Sequence, residues 1–110
     1  MSKWIPVCTL DNIYEGTGVC ALIKDKQIAI FRPTEAEQVY ALDNMDPFAR
    51  SNVLSRGIIC EHKAQLWVAS PIKKQRFNLA DGHCLEDPQV SLTTYKTRVQ
   101  AGMVEVQVNE

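Results

Sequence analysis

The feature that most constrains this chain is a succession of short apolar, β-branched runs, each closed by residues that turns require. The runs fall at 4–9, 18–24, 27–32, 39–44, 57–62, 65–69, 76–79, 94–100 and 103–108. Between them stand Glu15-Gly16-Thr17-Gly18, Lys24-Asp25-Lys26, Asp81-Gly82, Asp87-Pro88 and Ala101-Gly102. Glycine opens left-handed backbone, proline presets φ, and aspartate bonds its own main chain, so these segments read as turns. Side chains alternate faces along a strand, which puts Val104, Val106 and Val108 on one side and Glu105 and Gln107 on the other. The runs at 19–23 and 28–31 are apolar on both faces, the pattern of strands held between two layers. Many short strands at regular spacing predict an all-β sandwich or barrel. The helical signal is weak: one turn at 34–38 after Pro33, with Thr34 as its cap.

A chain of 110 residues without repeat, low-complexity stretch or linker predicts a single domain, 1–110. That length buries roughly two thirds of the unfolded surface, enough for a core without covalent staples. The apolar share of 45% and charged share of 23% are those of an ordinary soluble protein. A net charge of −1 argues against a nucleic-acid partner, which calls for a basic stripe. No apolar run approaches the roughly 20 residues of a membrane span, and the start Met1-Ser2-Lys3-Trp4-Ile5-Pro6 lacks a signal peptide's apolar stretch. The expected location is the cytoplasm. There thiols stay reduced, so Cys8, Cys20, Cys60 and Cys84 are expected as small buried hydrophobes and not as disulfides.

Two loops carry more specific information. The first reads Asn44-Met45-Asp46-Pro47-Phe48 and leaves through Leu54-Ser55-Arg56-Gly57. The second reads Trp67-Val68-Ala69-Ser70-Pro71-Ile72-Lys73-Lys74-Gln75-Arg76-Phe77-Asn78-Leu79, closed by Asp81-Gly82. From Val39 onward this layout resembles the Rieske domain, whose loops are headed by Cys-Pro-His and Cys-Pro-x-His. In such centres two Cys hold one iron and two His the other. The resemblance implies an antiparallel β-sandwich or barrel with the two loops at its tip. It also aligns the four ligand positions with Asp46, Phe48, Ser70 and Lys73. Hard oxygens, a benzyl group and an ammonium replace soft thiolates and imidazoles, so no cluster or other cofactor is expected in this chain.

Cys60-Glu61-His62 has the Cys-x-His spacing, and His83-Cys84 follows it, which together could supply a tetrahedral zinc site. Adjacent residues of an extended segment diverge, however, so His83 and Cys84 would face opposite ways. The favoured reading is a buried Cys60 beside a surface His62, with no metal and no catalytic residue. Lys73, Lys74 and Arg76 form the concentrated basic patch, with Lys63 expected nearby across the hairpin. With Pro47, Phe48 and Pro71 they are the candidate docking residues, where charge would set orientation and on-rate. Asp46 and Lys73 are expected to pair across the loops, and Phe48 to serve as an apolar plug or an exposed anchor.

Within the Rieske superfamily, the chain resembles the small subunits of cytoplasmic NADH-dependent nitrite reductases. The residues that carry this include Thr17-Gly18-Val19-Cys20-Ala21-Leu22, Gln27-Ile28-Ala29-Ile30-Phe31-Arg32-Pro33 and 66–77. The resemblance implies a large-subunit partner with FAD, sirohaem and an iron–sulfur cluster, passing electrons from NADH to nitrite and yielding ammonium. The small subunit would support its assembly or activity while being inert alone. The alternative is a stand-alone Rieske-like interaction module regulating another redox enzyme, which the absence of a neighbouring large-subunit gene would favour.

Overall fold

The computed structural model describes residues 2–109. Met1 and Glu110, the ends of the expected domain, lie outside them. Twelve strands are present among the described residues: β1 (Ser2–Thr9), β2 (Thr17–Ile23), β3 (Lys26–Arg32), β4 (Tyr40–Asp43), β5 (Met45–Asp46), β6 (Ser51–Asn52), β7 (Ile58–His62), β8 (Gln65–Ala69), β9 (Arg76–Asn78), β10 (Thr94–Tyr95), β11 (Thr97–Gln100) and β12 (Met103–Asn109). They form sheets in the orders β1-β12-β11, β10-β4-β3-β2, β5-β6 and β7-β8-β9, and the pairings are antiparallel.

The central sheet separates two cores because β3 and β4 alternate. Ile28 and Ile30 of β3, with Ala41 of β4, face Val104, Val106 and Val108 of β12. Ala29 and Phe31, with Leu42, face Leu54, Val68, Phe77, Leu79 and Leu92 on the other side. Phe31 and Phe77 are fully buried. Each contributes about 2–3 kcal/mol of apolar transfer energy. The expectation of a strand between two layers therefore holds for β3. It does not hold for β2, where Cys20 is exposed and Leu22 is 71% exposed. As the sheet's edge, β2 has β3 alone as a strand neighbour, and half of its apolar pattern faces outward.

Two further expectations change. The run at 94–100 is two strands in different sheets: Thr94–Tyr95 pairs with β4, and Thr97–Gln100 pairs with β12. The chain turns the corner between layers at Lys96, whose carbonyl accepts the Gln107 N–H at 2.8 Å. The turn at 34–38 is not helical. Arg32 donates to the Thr34 and Glu35 carbonyls at 3.2 and 2.8 Å, taking acceptors a helix would use. Thr34 Oγ1 accepts from the Ala36 amide at 3.2 Å, a local turn and not a helix cap. The same guanidinium reaches the Leu10 and Ile13 carbonyls at 3.2 and 3.0 Å, stapling the end of the first core.

Candidate functional site

Both loops emerge from strand ends that fix their spacing. The first is a tight hairpin, β5 to β6, in which Met45 pairs with Asn52 and Asp46 with Ser51. The Arg50 amide donates to the Asp46 carbonyl at 2.7 Å, and Arg50 takes φ +55°. The second spans Ser70–Gln75, closed by the Ser70 amide donating to the Gln75 carbonyl at 2.9 Å. Gly57 leads from the first loop into β7, and a Cβ there would collide with the Ala69 carbonyl oxygen. Only glycine lets β7 start this close to the root of the second loop.

Two buried asparagines fix the loop frames. Asn44 accepts the Ser55 amide at 2.6 Å on Oδ1, while Nδ2 donates to Gln27 Oε1 at 3.2 Å and Cys20 Sγ at 3.4 Å. Asn78 accepts the Ala80 and Asp81 amides at 2.8 and 3.1 Å and donates to Gln65 Oε1 at 3.0 Å. Gly82 follows at φ +82°, where an added Cβ would strike the Leu92 carbonyl. Neither asparagine was singled out from the sequence. Their one signal is a polar residue closing an apolar strand just before a turn, and many exposed asparagines share it.

The structure brings Asp46 and Ser70 together. Asp46 is fully buried and Ser70 is 2% exposed. The Ser70 hydroxyl donates to Asp46 Oδ2. Asp46 Oδ1 accepts the Phe48 and Ala49 amides at 2.9 and 3.2 Å. Ser70 Oγ in turn accepts the Ile72 and Lys73 amides at 3.2 and 3.4 Å. Each side chain thus shapes its own loop and grips the other. The expected Asp46–Lys73 pair is corrected: Lys73 is exposed and makes no ion pair among the described residues. A short hydroxyl enters the buried site at little cost, whereas an ammonium would have to lose its water.

Phe48 is half-buried and packs on Phe77 with ring centroids 6.1 Å apart, so it belongs to the second core. Pro47, Pro71, Lys73 and Lys74 are exposed around it, as is Ile72 at 51%. Arg76 is not a free docking cation. Its Nε–H donates to Glu86 Oε2 at 2.6 Å and its amide to Oε1 at 2.7 Å. Burial raises the Glu86 carboxyl, but these bonds and the guanidinium charge hold it below the ordinary range. Lys63 sits in the turn between β7 and β8, at the far end of the hairpin from Ser70, and does not join the patch.

The set Cys60, His62, His83 and Cys84 is divided by its sheet. The register puts Cys60 opposite Trp67 and His62 opposite Gln65, all on one face of β7–β8. Cys84 bridges to Phe77 and is buried in the core on the other face. His83 and His62 meet the Trp67 ring edge-on, at centroid distances of 4.9 and 6.5 Å. His83 Nδ1 also contacts Asp81 Oδ1 at 2.5 Å. Burial raises the Asp81 carboxyl, but the His83 amide and ring hold it below its usual value. Among the described residues, no three His, Cys, Asp or Glu side chains are grouped to hold a metal. Of the cysteines, Cys84 alone is fully buried; Cys8 and Cys60 are half-buried and Cys20 is exposed, because β2 is an edge.

An iron–sulfur cluster needs thiolate or imidazole donors. The four aligned positions offer a buried carboxylate, a benzyl ring packed in the core, a buried hydroxyl and an exposed ammonium. The carboxylate and the hydroxyl are already bonded to each other. These residues do not fit a cluster.

The family described as Rieske-like [2Fe-2S] domain matches residues 3–107. The nitrite reductase (NADH) small subunit of Escherichia coli K12 is 56% identical over 106 residues, which cover 96% of this chain and 98% of that one. The NMR structure of the Escherichia coli protein NirD superposes with a TM-score of 0.93 at 54% identity, each chain covered in full. A stretch making up 10% of the nitrite reductase [NAD(P)H] large subunit of Klebsiella oxytoca is 38% identical to 92% of this chain. With its antiparallel sandwich, its paired loops and these likenesses over almost its whole length, the chain belongs to the nitrite reductase small-subunit family of Rieske-like domains.

Proposed function

We propose that this chain is the small subunit of an NADH-dependent nitrite reductase, supporting assembly or activity of a large redox subunit that converts nitrite to ammonium. The observation that carries the reading is the Asp46–Ser70 bond. It closes the site of electron transfer while keeping the loop tip in shape, which suits a binding role and not a redox one. The likeness to a segment of the Klebsiella oxytoca large subunit supports a partner in close association, since there such a domain is part of the partner's own chain. FAD, sirohaem and an iron–sulfur cluster belong to the large subunit in this reading, and the complex works in the cytoplasm. Among the described residues no helix is long and apolar enough to cross a membrane.

Docking is assigned to the loop tip, where Pro47, Pro71, Ile72, Lys73 and Lys74 are exposed. Lys73 and Lys74 orient an acidic partner face, and the prolines and Ile72 supply rigid apolar contact. The test is a pull-down with the tagged chain from its host grown on nitrite, with an absorption spectrum of the eluate. A large partner with flavin and sirohaem bands and NADH-dependent nitrite loss is the expected result, and Lys73→Glu should recover less of it. A colourless eluate without a partner would shift the reading to a stand-alone regulatory module.

A further inference from the structure

We propose that Asp46 and Ser70 form a metal-free clasp that makes the two loops one rigid unit, replacing the cross-link a cluster would supply. Three observations carry this. The Rieske resemblance aligns the two residues with its thiolate positions, one per loop, and they bond directly to each other. Both are buried, and among the described residues the carboxylate forms no ion pair and accepts only from the Ser70 hydroxyl and two amides. Such a carboxylate is tolerated only where its donors are held in place, so losing one donor destabilises the rest. Finally, the same side chains that meet between the loops also accept amides within them: Asp46 Oδ1 takes those of Phe48 and Ala49, and Ser70 Oγ those of Ile72 and Lys73.

That geometry couples the loops. Opening the first releases a carboxylate oxygen from Ser70, whose hydroxyl loses its anchor and holds the Ile72 and Lys73 amides less firmly. Opening the second leaves Asp46 with one donor fewer and frees its grip on the Phe48 and Ala49 amides. The clasp needs no iron, so the tip keeps one shape whether or not metal is present.

The experiment is residue-resolved amide hydrogen exchange on the full chain, with Asp46→Ala, Ser70→Ala and Ser70→Thr. Ser70→Ala should accelerate exchange at Phe48 and Ala49, in the loop it does not belong to, by roughly tenfold or more. This is the scale of one hydrogen bond to a charged group lost from a local opening equilibrium. Asp46→Ala should do the same at Ile72, and Ser70→Thr, which keeps the hydroxyl, should restore slow exchange. Amides of Val104 and Val106, far from the tip in the other core, should not change. If Asp46→Ala does not fold, Ser70→Ala and its threonine rescue carry the test alone. Acceleration confined to the mutated residue's own loop would show two independent turns and overturn the clasp. So would tip amides in the unmodified chain that slow on adding iron and sulfide, or quicken on adding a chelator.

Discussion

Phe48, which the Rieske resemblance aligns with a ligand to iron, packs against the second core. Its ring lies on Phe77, and the neighbouring Asp46 holds its amide at 2.9 Å, so backbone and side chain are fixed together. Phe48→Ala is expected to lower stability by about 2 kcal/mol, below the 3–5 of a fully buried phenylalanine because the ring is only partly buried. Urea unfolding followed by Trp67 fluorescence measures this, and a loss under about 0.5 kcal/mol would show that the ring does not fill the tip. The two loops that hold Asp46, Phe48 and Ser70 were legible in the sequence because their prolines and turn residues keep the loop pattern. The partners of these side chains were not. Asp46 had both Ser70 and Lys73 within loop reach, and the choice depends on desolvation, which spacing along the chain does not reveal.

At the scale of elements, the loop after β9 is held by carboxylates that titrate. Glu86 caps and pairs Arg76, and Asp81 meets the His83 amide and ring. Both carboxyls lie below their ordinary values in the folded chain despite partial burial that raises them. A lowered folded value stabilises above the unfolded value, about 4, and is lost as pH falls through the folded one. Glu86→Gln should therefore melt below wild type at pH 7 and converge with it as pH drops below about 4. Both partners are more than a third exposed, so solvent screening keeps the neutral-pH deficit below about 1 kcal/mol. A constant deficit from pH 7 to 3 would mean the pair acts through packing alone. Most strands were legible to within a residue or two, because their apolar runs end at turn-forming residues. The break at Lys96, the edge character of β2 and the unwound 34–38 segment were not. The first is decided by pairing with β12, the second by the lack of a strand neighbour beyond β2, and the third by the Arg32 side chain taking the Thr34 and Glu35 carbonyls, none of which the apolar pattern shows.

At the scale of the molecule, a Rieske-like fold offers a shaped tip where, among the described residues, no side chains are grouped to hold a metal. The central sheet with a core on each face keeps the scaffold, and the loops project from it with exposed prolines and lysines. Family membership was legible from the order and spacing of the loops, and the arrangement of charge near the tip was only partly so. Arg76 and Lys63 carry charge in the sequence, but one is paired with Glu86 and the other lies at the wrong end of its hairpin. The measurement that tests the central claim most directly is add-back. The large subunit, purified without this chain, is assayed for NADH-dependent nitrite reduction before and after adding the chain, with the iron content of the added chain determined. The account predicts that an iron-free chain raises or stabilises the activity. Activity independent of the chain, or restoration only by a chain carrying two irons, would contradict it.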